Sequence, residues 1–437
     1  MQRFFLQNFG CRATQADGAA LGAMLAGTGL SPTEQATSAD FIILNTCTVT
    51  ANADDDVRST IRRVHRQNPD ARILVTGCYA QRSPEELAAM PGVLWVVGNS
   101  HKIQIPRILS RASFDFHGEL PAAIHVSDIG EQREFLSAPV EDAGDRTRPN
   151  LKIQDGCNNL CTFCIIPSVR GRSRSAPASQ IVEQVRKLAV NYKEVVLSGI
   201  NLGRWGRDAG RPQPMRLAGL LKLLLAETSV ERLRLSSVEP MDFSEELLEL
   251  MAASPRIARH VHAPLQSGCD AVLKRMKRRY RCRHYASRLL LARRLMPDAA
   301  IGADVMVGFP GETEAEFEES RRFIESMPFT YLHVFTYSER PGTPAAASAG
   351  QVPMAVRKER NRILRELAAE KNLAFRRGCL GKSLSVVTLD EGTPALSSNY
   401  LKVELQHPRP ANRIVKVRIG ALASGGLREE TLVQLGA

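Results

Sequence analysis

Short apolar runs alternate with helical patterns along most of this chain, and that alternation narrows its fold more than any other feature. In the first third, Phe4-Phe5-Leu6, Phe41-Ile42-Ile43-Leu44, Arg72-Ile73-Leu74-Val75 and Leu94-Trp95-Val96-Val97 read as strands. Helical patterns over 15–25, 57–66 and 84–89 separate them. Strands that alternate with helices run parallel, with helices on both faces of the sheet. A cysteine follows each of the first three strands: Cys11, Cys47 and Cys78. Loops at the carboxyl ends of parallel strands share one sheet edge, so these three thiols are expected to converge there as a metal-binding set. The alternative is three separately buried cysteines, since free Cys packs as a small hydrophobe.

A second strand–helix series follows. Its strands are Leu151-Lys152-Ile153, Glu194-Val195-Val196-Leu197, Arg232-Leu233-Arg234-Leu235, His260-Val261-His262, Ile301 to Met306 and Tyr331 to Phe335. Six such units are too few for the closed eight-strand barrel and suit an open six-strand one. After its first strand comes Gly156-Cys157-Asn158-Asn159-Leu160-Cys161-Thr162-Phe163-Cys164, a C-x3-C-x2-C set with no fourth cysteine nearby. Three thiolates on one loop suit three irons of a [4Fe-4S] cubane and leave the fourth iron open for a non-protein ligand. Zinc is the alternative, but it asks for four protein ligands, and the nearest downstream histidine is His260. With nine cysteines in 437 residues and a start lacking the apolar core of a secretory leader, a reducing cytoplasmic setting is expected. No apolar run is long enough to cross a bilayer.

Residues 113–149, polar and holding Pro121, Pro139 and Pro149, read as a connector. A charged helix over 354–376 ends the second series. Beyond it, Leu384 to Val387, Leu401 to Leu405 and Ile414 to Ile419 alternate as strands of a small antiparallel barrel. The expected fold is therefore α/β: a doubly wound parallel sheet over 1–112, the connector, a partial barrel over 150–369 and a small β-barrel over 370–437. The last is either an RNA-binding module or a cap on the larger barrel.

The formal charge is +12, which favours a polyanionic partner or reflects an arginine-rich surface. Seven basic residues and no acid fall between Lys274 and Arg283, and Arg170, Arg172 and Arg174 follow the cysteine loop. Lys274, Arg275, Lys277, Arg278 and Arg279 are the candidate RNA contacts; a solvated helix face is the alternative. Phe163 in the cysteine loop, Ser198 and Gly199 after the second barrel strand, Glu239 after the third and Asp304 on the fifth stand at the rim where barrel active sites lie. They are candidate cofactor contacts, with core packing for Phe163 and a structural ion pair for the acids as the alternatives.

The cysteine loop and its flanks through Pro167, together with Arg170-Gly171-Arg172-Ser173-Arg174-Ser175, closely resemble the radical S-adenosylmethionine methylthiotransferases. His262-Ala263-Pro264-Leu265-Gln266-Ser267-Gly268 and Asp304-Val305-Met306-Val307-Gly308-Phe309-Pro310-Gly311-Glu312-Thr313 carry the resemblance onward, and it covers nearly the whole chain. Asn45-Thr46-Cys47-Thr48-Val49-Thr50 and His333 to Thr343 are similar to the branch acting on threonylcarbamoyl-adenosine in tRNA. The resemblance implies an N-terminal three-cysteine domain, a radical barrel and a C-terminal TRAM barrel. It further implies two [4Fe-4S] clusters, on Cys157, Cys161 and Cys164 and on Cys11, Cys47 and Cys78, with S-adenosylmethionine on the open iron of the first. The implied reaction adds a methylthio group to C2 of the modified adenine in a tRNA anticodon loop. A small reductant protein such as flavodoxin or ferredoxin would supply electrons. Where the family usually has Asn three residues after the first cysteine, this chain has Thr14. Alternatives are an isopentenyl-adenosine or ribosomal-protein substrate, or a non-catalytic iron–sulfur RNA-binding protein.

Overall fold

A computed structural model describes residues 2–111, 121–133, 135–136, 147–208, 215–389 and 392–431. The N-terminal body is a six-strand parallel sheet: β1 (Arg3–Asn8), β2 (Ser31–Pro32), β3 (Phe41–Thr46), β4 (Arg72–Gly77), β5 (Val93–Gly98) and β6 (Ala123–His125), in spatial order 2-1-3-4-5-6. Strand β3 is buried along its whole length, and its side chains divide by parity. Ile42 and Leu44 pack with Ile73, Val75 and Val57, while Phe41 and Ile43 pack with Leu74, Leu21 and Trp95. Two apolar faces on one sheet require a helical layer on each side, which is why the strands read as near-continuous apolar runs. The two short edge strands were not evident in the sequence. Pro139 and most of the connector lie outside the described residues, and the part that is described supplies β6.

The second body holds β7 (Asn150–Asp155), the short antiparallel β8 (Arg174–Ser175), β9 (Glu194–Gly199), β10 (Arg232–Leu235), β11 (His260–His262), β12 (Ala300–Val307) and β13 (Tyr331–Thr336). Pairing gives one sheet ordered 10-9-7-8 and another ordered 11-12-13, joined by a bridge between Leu233 and Ile257. Among the described residues β7 and β13 do not pair, so the barrel is open. The helix Arg12–Ala26 of the first body packs against β7 and β9 at that opening.

Barrel parity positions the site. Leu151, Ile153, Val195, Leu197, Leu233, Val261, Ile301, Ala303, Val305 and Val334 belong to the core beneath the outer helices. The opposite set is polar: Asn150, Lys152 and Gln154; Glu194 and Ser198; Arg232 and Arg234; His260 and His262; Asp304; Tyr331 and His333. This inner face is a lumen lined with chemistry, unlike a barrel filled by branched apolar side chains.

The long helix Met354–Arg377 leads to a closed five-strand barrel, ordered β14 (Ser383–Thr388), β15 (Gly392–Ser397), β16 (Lys402–Arg409), β18 (Gly426–Glu429), β17 (Ile414–Ala423). The sequence reading found three of these strands; β15 and β18 are broken by Gly and Pro and lack a clear alternation. This barrel docks beneath the larger one. Arg234 donates to the carbonyls of Ser397 and Ser398 at 3.0 and 3.1 Å, and the Tyr400 ring stacks on His260 at 4.3 Å. Among the described residues no helix is long and apolar enough to cross a membrane.

Candidate cluster and substrate site

Cys11, Cys47 and Cys78 sit where the strand edge brings them. Cys11 caps the helix Arg12–Ala26, Cys47 follows β3, and Cys78 opens the helix Cys78–Arg82 directly after β4. Two glycines allow the loops to close. A Cβ on Gly10, at φ +88°, would lie 2.4 Å from Cys47 Cβ, and one on Gly77, at φ +104°, would lie 2.3 Å from the Thr46 carbonyl. Burial, then the nearby Cys78 and Cys11 thiols, push the Cys47 thiol up to about 11. Without metal the buried Cys47 therefore stays protonated near neutrality. Thr14 does what the departure from the family pattern left open: its hydroxyl lies 3.5 Å from Cys11 Sγ and accepts from Arg170 at 3.4 Å. Asn99 donates to Cys78 Sγ at 3.6 Å and to the Val169 carbonyl at 2.8 Å.

The second set lies on the loop after β7. Cys157 Sγ accepts from Asn159 N at 3.3 Å and Asn201 Nδ2 at 3.5 Å, and Cys161 Sγ accepts from Arg278 Nη1 at 3.3 Å. Burial chiefly, with the Cys161 and Cys157 thiols adding to it, pushes Cys164 up to about 12. The helix Ile166–Arg170, which begins two residues after Cys164, packs Ile165 and Val169 against Cys78. One short helix therefore joins the two sets.

The donor sets fit iron–sulfur clusters. Among the described residues, the one group of ligand atoms all within 4.8 Å of one another is His262, Asp304 and His333, so neither cysteine set closes to that spacing. Thiolates sharing one zinc at ~2.3 Å bonds would sit roughly 4 Å apart. A cubane gives each thiolate its own iron and demands the wider spread. Beside Cys157, the buried Asn201 Oδ1 has no partner, an acceptor of the kind a ligand's amino group satisfies.

Charge around the two sets is arranged internally. Arg170, 1% exposed, is hydrogen-bonded to both Asp17 and Asp155 at 3.0 Å. Lys102 pairs with Asp17, while Lys152 bridges Asp17 to Asp155. Burial alone would raise the Asp17 carboxyl, but Lys102, Lys152 and Arg170 outweigh it and hold it well below the carboxylate range. This network fastens the N-terminal sheet to the barrel.

The remaining candidates divide. Glu239 pairs with Arg278 at 2.6 Å beside Cys161. Asp304 Oδ2 lies 3.2 Å from His262 Nε2. Gly199 lies against Gln154. Phe163 packs with the group containing Phe309 and Tyr337. Ser198 is buried and its hydroxyl donates to the Leu151 carbonyl at 3.5 Å. The Arg278 guanidinium turns inward and donates to Cys161, Glu239 and Tyr280. Lys274, Lys277 and Arg279 are exposed, and Arg275 is held by both carboxylate oxygens of Glu316.

Sequence reasoning missed the lumen. Tyr331 OH lies 2.6 Å from His260 Nε2 and 2.8 Å from His262 Nδ1, its ring filling the space over Gly302. Arg12 Nη2 donates to Tyr400 OH at 3.3 Å. The signal was there: R-L-R-L, H-V-H and Y-L-H-V-F place polar groups at every second position.

The chain matches the model of the uncharacterized protein family UPF0004 over residues 3–98 and that of the radical SAM superfamily over 151–324. It is 41% identical to the threonylcarbamoyladenosine tRNA methylthiotransferase MtaB of Bacillus subtilis, over 84% of this chain and 79% of that protein. It is 36% identical to the protein of the same name from Aquifex aeolicus, over 94% of this chain and 99% of that one. Among solved structures, the radical S-adenosylmethionine methyltransferase TsrM of Kitasatospora setae shares the fold with a TM-score of 0.58 at 15% identity, over 79% of this chain and 77% of that chain.

Proposed function

The chain belongs to the radical S-adenosylmethionine tRNA methylthiotransferases of the MtaB type, and from that premise we propose that it adds a methylthio group to C2 of N6-threonylcarbamoyladenosine at position 37 of tRNA. The observation that carries this reading is the pair of three-thiol sets, each lacking a fourth protein ligand, joined by the helix Ile166–Arg170.

Cys157, Cys161 and Cys164 would hold one [4Fe-4S] cluster, and Cys11, Cys47 and Cys78 the other. Once bound, the clusters and S-adenosylmethionine supply the reducing electron, the radical that opens the C2–H bond, and the methylated sulfur. The chain's own work is positioning and charge. Arg278 donates to Cys161 and Asn201 to Cys157, and hydrogen bonds to a sulfur favour its ligating, anionic form. Arg170 and Asn99 serve the other set in the same way, Arg170 through its field and Asn99 through a direct bond. Glu239 keeps Arg278 aimed at the sulfur. The target base must leave its stack to reach the clusters, and anticodon-loop bases are already unpaired. Lys274, Lys277 and Arg279 outside, with the C-terminal barrel read as TRAM-like, would hold the RNA backbone. A small reductant protein, flavodoxin or ferredoxin in type, is the proposed electron donor.

Mass spectrometry of tRNA nucleosides from a deletion strain tests the substrate. Loss of 2-methylthio-threonylcarbamoyladenosine is expected. Loss of the isopentenyl counterpart instead would move the protein to the other branch.

A further inference from the structure

The floor of the lumen carries more positive charge than its own acids offset. Glu194, the first residue of β9 and fully buried, is surrounded by three guanidiniums: Arg234 at 2.7 Å, Arg232 at 3.3 Å and Arg148 at 3.4 Å. A fourth, Arg12, adds its field to the same floor residues, His260, Tyr331 and Arg148. Arg12 has no carboxylate within ion-pair distance among the described residues, and its one side-chain hydrogen bond there goes to the neutral Tyr400 hydroxyl. Three other interior arginines each hold several acceptors: Arg340 takes Asp54 and Thr48, Arg256 three carbonyls, and Arg357 two carbonyls and Gln351. The other acid in the lumen, Asp304, is engaged by His262. A half-buried guanidinium with spare donors beside a cationic floor is a receptor for a planar anion.

We propose that Arg12, steadied by Tyr400, forms a carboxylate subsite at the lumen floor that reads the threonyl carboxylate of the substrate's N6 side chain. The inference rests on the substrate reading above and names the group that selects it. Two further features agree. Arg12 directly follows Cys11, so a ligand held by its side chain is kept close to the cysteine set that would carry the sulfur. Tyr400 occupies the left-handed region at φ +64°, a conformation a tyrosine keeps only when its surroundings impose it; here His260, Tyr331 and Arg234 enclose its ring. His333 and Phe335 are also exposed on the inner face of β13.

The test uses reconstituted enzyme and two synthetic anticodon stem-loops, one bearing threonylcarbamoyladenosine and one its neutral carboxamide. Anaerobic anisotropy gives binding and mass spectrometry gives product. The parent is expected to prefer the carboxylate RNA by about 10- to 100-fold, the range of a charged hydrogen-bonded pair. Arg12→Leu should reduce that preference to under about 3-fold, Arg12→Lys should keep part of it, and Tyr400→Phe should weaken it while leaving iron content unchanged. A parent-like preference in Arg12→Leu overturns the proposal. So does a rise in KM for S-adenosylmethionine in 5′-deoxyadenosine formation with the RNA preference intact, since the anion would then be the cofactor's carboxylate. If the parent modifies neither RNA, the substrate reading falls and the subsite with it; if it modifies the carboxylate RNA yet Arg12→Leu discriminates as well as the parent, only the subsite falls.

Discussion

The two cysteine sets are assembled by opposite routes. Cys157, Cys161 and Cys164 lie within eight residues on one loop, so local backbone brings them together. Cys11, Cys47 and Cys78 come from three strand ends and meet only when β1, β3 and β4 pair in parallel register. A contiguous set survives as long as its loop does. A dispersed set depends on sheet register, on two left-handed glycines and on the buried ion network behind Arg170. The thiols nearest neutrality-proof burial, Cys47 and Cys164, occur one in each set, so burial does not distinguish them.

The sharpest way to break the comparison is to remove each set. With two four-iron clusters, about eight irons in the parent should fall to about four in either triple Cys→Ala variant. Losing Cys157, Cys161 and Cys164 should also abolish 5′-deoxyadenosine formation. Losing Cys11, Cys47 and Cys78 should spare that and abolish methylthiolation. Equal loss of deoxyadenosine in both variants would show that the sets are not independent.

Arg170→Met should come next in size. It strips a buried cation from Asp17 and Asp155, at a cost of about 3–5 kcal/mol, read from the urea midpoint. Arg278→Met should cost less, about 1–3 kcal/mol, because Glu239 is 23% exposed and can rehydrate. The reverse ranking would mean that the contiguous set is the more dependent on ionic support.

Acid probes the same support. Asp17 is held below its unfolded value, so its contribution is fully present above pH ~4 and is lost as pH falls further, on the order of 2–4 kcal/mol in all. Glu194, where burial is outweighed by Arg234, Arg148 and Arg232, is lowered to about 2 and follows the same sign between pH ~4.5 and that value. Urea midpoints should therefore stay level from pH 7 to 5 and fall below 4; a decline beginning at pH 6 would implicate other groups.

Glycine replacements have a smaller cost in stability but a selective effect on iron. Gly10→Ala or Gly77→Ala should each cost about 1–3 kcal/mol in backbone strain and drain the dispersed cluster, leaving about four irons. Smallest is the outer surface: reversing Lys274, Lys277 and Arg279 should lower tRNA affinity and flatten its salt dependence by up to about three charges without altering iron content.

Much of this was legible along the chain. The period-two apolar faces of β3 and β4 announce a sheet covered on both sides, and C-x3-C-x2-C announces three ligands whose distance apart no fold can change much. Cys11, Cys47 and Cys78 were legible only as a shared structural phase, one after each strand. The basic run over 274–283 hides which member turns inward: after the turn at Lys277, with φ +55°, Arg278 donates to Cys161. Arg12 carried no signal at all, since its meaning depends on Tyr400, 388 residues away.

The linear order of residues decided what repeats locally: strand and helix periodicity, the spacing of ligands on one loop, and the glycines that make tight turns possible. Tertiary structure decided which of the interior charges found distant partners. Those pairs depend on distances between side chains far apart in the chain, and burial multiplies the effect of each distance by removing the water that would otherwise mask it. Hence Arg170 serves the sheet–barrel joint and Arg278 a thiol, while Arg12 bonds the Tyr400 hydroxyl.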